Sequence, residues 1–384
     1  MSYNVQYIQS DERYWFVLTG DFTECLIELE KTKHLFLEAM AKPVIVIDGS
    51  FEGGIFSHGL NLVQEGNNVG TAYESFSKIH SLLSEYSLAS EHTDWRTILV
   101  YGDANLEKNY VHWCKVNKQE RVFGKCVYRP HTLLQRSLDY YNLNPPKPNL
   151  SFKPKHFICL NAVPRHHRFK MVDLLYKKDW QLKGHISWLK RTFNNQRVKN
   201  FDSHGIWDQE ILKLDFDKEE ICDGQNQLLC PPQYREACFD IVNETSVSDT
   251  ALFITDKTWK PILQKTPFII HGSKNSHKHL EEYFGIKPYT DLFDYRFDTL
   301  DYNERFDSIK DDNLERLLNM DINELNEIVN SDKMQDLLEY NRKQLLNHAL
   351  DNNKFKALIE VSESEVGEDL LHHEVVRPLI LLGY

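Results

Sequence analysis

A chain of 384 residues, 41% apolar and 12% aromatic, exceeds one typical core and suggests two α/β domains. No stretch approaches the roughly 18 consecutive apolar residues of a membrane span, and the N-terminal MSYNVQYIQSDERYW lacks the basic-then-apolar order of a secretory signal, so a cytoplasmic protein is expected. The net charge of −12 is unevenly placed: residues 153–199 hold twelve Lys/Arg against Asp173 and Asp179, while the rest holds 33 against 55 acidic residues, which suits a locally bound anionic partner.

In chain order, PVIVIDG (43–49) and TILVYGD (97–103) read as strands, with a helix at 73–86 between them. Asn142–Pro154, with four prolines, reads as a linker. A second α/β series follows. HFICLN (156–161) is a strand, 165–180 a helix with Met171, Leu174 and Leu175 on one side, and GHISWL (184–189) a strand. ACFDIVNET (237–245), ALFIT (251–255) and PFIIHGS (267–273) are further strands, with TDKTWKPIL starting a helix between the last two. Beyond Asp311 the chain is charged and helical. Alternation of this kind predicts parallel sheets with crossover helices, divided into domains at 1–149 and 150–310 and a helical tail at 311–384 that packs on the second domain, with a return to the first as the alternative. The seven cysteines are scattered, without C-x-x-C or zinc spacing; Cys159 and Cys238 suit small packed hydrophobes.

Two places combine strand ends with cations. In NAVPRHHR, Asn161–Arg168, a strand ends and Arg165 and Arg168 open a helix whose free N–H groups complement an anion. Cations are unfavourable at that dipole end unless an anionic counterpart is present; local pairing with Asp173 is the plainer alternative. In TDKTWKP, Thr255–Pro261, Lys257 is expected at the carboxyl end of ALFIT, with Glu244 close by. Such a carboxylate can accept two ribose hydroxyls and such a lysine can meet a phosphate, or the two can pair with each other. Trp259 suits the core. No D-x-D ends a strand; DFD (215–217) suits a solvated turn, so no divalent metal and no cofactor are expected.

Glu244, FITDK (253–257) and PFIIHGS together resemble the donor element of the α1,3-fucosyltransferases, and FICLNAVPRHHR resembles a strand-plus-basic-helix element of phage-encoded glycosyltransferases. The resemblance covers about residues 155–305. It implies a GT-B fold, two Rossmann-like domains facing a central cleft, with a UDP- or GDP-linked sugar bound by the second. Asn161, Arg165, Arg168, Glu244, Thr255, Asp256 and Lys257 would then bind the donor: the arginines its pyrophosphate, Glu244 its ribose, Lys257 a phosphate. Asp256 stands where the family has Glu, a shorter carboxylate suited to a helix N-cap. The acceptor base would come from the first domain, with Asp48, Glu52 and Asp103 as candidates; each also suits a cap or turn.

Aromatic residues interleave with cations in the basic block. Lys170, Lys177, Lys190 and Arg191 would there meet the phosphates of double-stranded DNA, and the resemblance to phage-encoded glycosyltransferases implies a hydroxymethylated base as the acceptor. A surface glycan or lipid-linked sugar is the alternative acceptor, and a non-catalytic nucleic-acid-binding protein the alternative class. The sugar, its stereochemical course and the oligomeric state are left open.

Overall fold

The computed structural model describes residues 4–9, 13–19, 42–48, 96–123, 125–128, 149–161, 165–187 and 232–350, with isolated positions between them. Two compact units emerge, one within Met1–Thr132 plus Thr250–Phe253, the other within Leu133–Asp249 and Ile254–His348.

The first unit holds a five-stranded sheet in simple order: β1 (Asn4–Gln9), β2 (Arg13–Thr19), β3 (Lys42–Asp48), β4 (Arg96–Tyr101) and β5 (Lys125–Tyr128). β1 and β2 pair antiparallel, and β2 through β5 run parallel. Helix α1 (Leu106–Asn117) joins β4 to β5 and buries Leu106, Tyr110, Trp113 and Cys114, one apolar stripe at helical spacing. It ends where Lys118 turns left-handed at φ 53°, and the N–H of Lys118 reaches back to the last carbonyls. Tyr110 anchors the unit's packing, 5.1 Å edge-on from Phe123, and its hydroxyl lies 2.9 Å from His80 Nε2. Of the helix expected at 73–86, Ser77, His80 and Ser81 are described, and all are helical.

The second unit is a four-stranded parallel sheet in the order β7 (Gly184–Ile186), β6 (Lys155–Cys159), β8 (Ala237–Asn243), β9 (Phe268–His271). β8 is buried along its whole length, as a central strand covered on both faces must be. Gly184 sits against the Phe157 ring so closely that a Cβ would lie 2.4 Å from it. Helix α2 (His166–Lys177) links β6 to β7 and α3 (Asp256–Leu263) links β8 to β9. The two links run in opposite directions along the sheet, so right-handed crossovers put α2 and α3 on opposite faces. The order therefore reverses between β6 and β8. Among the described strands of the first sheet it does not reverse.

Further helices follow: α4 (Ser276–Phe284), α5 (Tyr302–Ser308), a π-helical turn (Ile309–Leu314), α6 (Glu315–Asn319), α7 (Ile322–Asn330) and α8 (Asp332–Leu350). α7 packs on β6 and β8, and its Asn326 brackets Lys153, accepting from the backbone N–H at 2.8 Å and donating to the carbonyl at 2.9 Å. Of the tail expected at 311–384, the described residues 311–348 thus belong with the second unit. No helix of the described residues is long and apolar enough to cross a membrane.

ALFIT departs from expectation. Its apolar run is buried, but it forms no sheet strand; Phe253 makes only an isolated antiparallel bridge with Asp103. The backbone finds its partners in the first unit instead. Leu252 donates to the Asp103 carboxylate at 2.8 Å and accepts from Ala104 N at 2.9 Å.

Candidate functional site

In an open parallel sheet, ligands lie beyond the carboxyl ends of the strands where the order reverses. Here that place is the crevice between β6 and β8, bounded by Asn161, the start of α2, Asn243 and Glu244. A polar relay lines its floor. Asn161 Nδ2 donates to the Cys159 carbonyl (3.3 Å) and Asn243 Nδ2 to Asn161 Oδ1 (2.9 Å), while Asn243 Oδ1 faces His271 Nδ1 (2.9 Å). The Ser187 hydroxyl accepts from Asn161 N at 2.8 Å. A carbonyl only accepts, so the Cys159 oxygen fixes both amide orientations and makes His271 Nδ1 the protonated nitrogen.

Glu244 is fully buried, and its carboxylate turns into α3 rather than outward. Oε1 accepts from Thr255 N (3.0 Å) and Thr258 Oγ1 (2.6 Å), Oε2 from Thr255 Oγ1 (2.6 Å) and Thr245 N (2.9 Å). Both oxygens are thereby committed, so the ribose contact expected of Glu244 is not what its geometry provides. It positions Thr255, the N-cap of α3, whose hydroxyl accepts from Lys257 N at 3.4 Å. The Glu244 carbonyl accepts from His167 Nε2 (2.8 Å) and from Arg168 Nε and Nη2 (3.3 and 3.1 Å), which ties α2 to β8.

The cations gather at the same level. Arg165 caps the start of α2 in an extended conformation, half-buried, and Arg168 lies one turn inside and is buried. Burial, then the neighbouring Arg165, pushes the Arg168 guanidinium down to about 9, with Glu244 and Asp256 opposing. Lys257 Nζ bonds Thr245 Oγ1 at 3.0 Å, rather than Glu244, and lies 3.6 Å from Asp256. Burial lowers its pKa, and Arg168 adds to that. Asp256 also meets Lys260 at 3.0 Å; burial would raise its carboxyl, but Lys257 and Lys260 prevail and hold it well below the carboxylate range. Four cations thus face two carboxylates where two helix N-termini add further positive potential. The arrangement can neutralise a multiply charged anion. Among the described residues, no group of His, Cys, Asp and Glu could hold a metal ion.

The other candidates separate. Asp103 is buried; one oxygen accepts from Asn105 and Leu252 N–H, the other has no partner among the described residues, and burial pushes the carboxyl up to about 6. Asp48 ends β3, while Glu52, Lys190, Arg191 and the DFD turn at 215–217 lie outside the described residues. Lys170 is turned inward over the rings of Phe306 (4.1 Å) and Tyr302 (5.3 Å), and Lys177 pairs with Asp173 at 2.6 Å. Trp259 is core, its ring 4.9 Å from Phe284. Sequence reasoning assigned nothing to His167, Asn243, Lys260 or His271; the run PFIIHGS contains His271 but carries no signal of its relay. No protein family, curated protein or solved structure matches the chain, so the site is read from its own chemistry.

Proposed function

We propose that the chain is a nucleotide-sugar-dependent glycosyltransferase of the GT-B type, holding the donor pyrophosphate without metal at the N-termini of α2 and α3. The observation that carries this reading is the gathering of Arg165, Arg168, Lys257 and Lys260 around Glu244 and Asp256 at the sheet's reversal point. Leaving-group charge is stabilised there by preorganised cations and backbone N–H groups, which act most strongly where water is excluded. Asp103, buried in the first unit with one carboxylate oxygen unpartnered among the described residues, stands with Asp48 and Glu52 as a candidate for the acceptor base. The basic segment supports a hydroxymethylated base in DNA as acceptor. The inward engagement of Lys170 and the pairing of the exposed Lys177 with Asp173 favour the second reading, a glycan or lipid-linked sugar.

A thermal-shift screen across UDP-, GDP-, CMP- and TDP-linked sugars tests the donor reading. A true donor raises Tm by mass action, and Lys257→Ala abolishes the shift. Absence of any binding or hydrolysis of nucleotide sugars would sink it. Turnover on glycans but never on hydroxymethylated duplex DNA removes only the DNA acceptor.

A further inference from the structure

Next to the crevice, at the carboxyl end of β9, a second set of polar groups is left without protein partners. Arg305 on α5 is 1% exposed. Its Nη1 donates to Asp249 Oδ1 (3.0 Å) and to the Leu300 carbonyl (2.6 Å), which fixes the guanidinium plane. Nε and Nη2, the two parallel donors of its other edge, have no partner among the described residues. That edge is the fork that fits an oxyanion bidentately. The Ser273 hydroxyl and His271 Nε2 are likewise buried and without partners among the described residues. His271 and Arg305 are neighbours: the His271 ring packs on Phe306 at 5.2 Å, directly after Arg305, and the Arg305 charge, after burial, helps push the imidazole down to about 3; Ser273 follows His271 by two residues just past the end of β9. His271 is therefore neutral, and with Nδ1–H committed to Asn243 its Nε2 presents a lone pair that needs a hydroxyl donor.

A buried donor edge, a buried hydroxyl and a buried lone pair each cost free energy unless something completes them. We propose that Arg305, Ser273 and His271 form a subsite for a hydroxyl-bearing oxyanion: the oxyanion lies on the Arg305 fork and a ligand hydroxyl donates to His271 Nε2. The occupant is the glycosyl end of the donor, an assignment that rests on the glycosyltransferase reading. Its oxyanion is either the sugar-linked phosphate or the carboxylate of an acidic sugar.

Calorimetric titration of the full chain with a hexose 1-phosphate, a hexuronic acid, inorganic phosphate and nucleoside diphosphates decides the matter. We expect a hydroxylated probe to bind more tightly than inorganic phosphate. The affinity should fall about tenfold in Ser273→Ala and further in Arg305→Lys, each loss being that of one hydrogen bond to a charged or hydroxyl group. Nucleoside diphosphate affinity should fall in the same variants if the fork holds the sugar-linked phosphate, which is the diphosphate's own β-phosphate, and stay unchanged if the fork holds a sugar carboxylate. Preference for hexose 1-phosphate assigns the fork to phosphate, and preference for hexuronate assigns it to an acidic sugar. Ser273→Ala, a single-hydroxyl change, keeps the test valid if Arg305→Lys fails to fold. Equal affinities in wild type and Ser273→Ala, or no binding of either hydroxylated probe, overturn the subsite. Ser273-dependent binding of a hexose phosphate without any nucleotide binding leaves the subsite standing and removes the glycosyltransferase reading.

Discussion

Replacing Glu244 by Gln keeps the shape of the side chain and exchanges one acceptor oxygen for a donor. If the new amide nitrogen takes the place of Oε1 it faces Thr255 N and Thr258 Oγ1; if it takes the place of Oε2 it faces Thr245 N and Thr255 Oγ1. A threonine hydroxyl can rotate and accept. A backbone N–H cannot, so either orientation strands one buried amide, at a cost of about 1–3 kcal/mol. With roughly 2–4 °C of Tm per kcal/mol in a unit of this size, Glu244→Gln should lower Tm by about 2–12 °C. Glu244→Ala strands both amides and opens a cavity, so its loss should be larger. Thermal denaturation followed by circular dichroism measures both, and titration with nucleoside diphosphates measures binding on the folded variants. Positioning through α3 predicts that Gln loses stability and weakens binding only moderately. An unchanged Tm together with abolished nucleotide binding would refute this reasoning and return Glu244 to direct ligand contact.

Three further outcomes are expected. Gly184→Ala drives a methyl into the Phe157 ring between β6 and β7 and should cost about 1–3 kcal/mol, read as a shifted denaturant midpoint. Asp240 is buried in mid-β8 beside the Tyr234 hydroxyl (2.5 Å), and burial pushes it up to about 7. A raised carboxyl keeps its proton in the folded state while the unfolded chain loses it, so stability falls as pH rises from about 4 towards 7. Asp240→Asn should flatten that part of the Tm–pH curve. Asp256 has the opposite sign: its stabilisation is complete above the ordinary carboxylate range and is lost as pH falls below it, so Asp256→Asn should be most destabilising near neutrality and converge on wild type in acid.

Local pattern was enough to mark β6, β8 and β9, because buried parallel strands read as short apolar runs. It also marked a helix start at TDKTWKPIL and Trp259 in the core, but the N-cap expected at Asp256 is Thr255, with Asp256 the first helical residue. ALFIT shows the limit. Its composition is that of a strand, but a strand also needs a neighbour with free backbone groups, and Leu252 finds its partner at Asp103, 149 residues away. Lys170 shows a second limit: whether a lysine in a basic run meets solvent or an aromatic face depends on α5, whose Tyr302 and Phe306 lie more than 130 residues further on. Lys190 and Arg191, in the second half of the basic block, lie outside the described residues.

Glu244 carries the same lesson to the site itself. Sequence places it beside Lys257 correctly in space, but proximity does not say which way a carboxylate turns. Direction follows from competition: Thr245, Thr255 and Thr258 offer four donors to two oxygens inside the protein, and a ligand would have to displace them. The cations nearer the surface of the crevice are then Arg165 and Lys257, both partly exposed, with Glu244 and Arg168 buried behind them holding α2, β8 and α3 at fixed spacing. An anion site built this way has its rigidity in the buried pair and its affinity in the outer one. Losing Lys257 should therefore weaken binding with a smaller loss of Tm than losing the Glu244 side chain, which should lower both strongly.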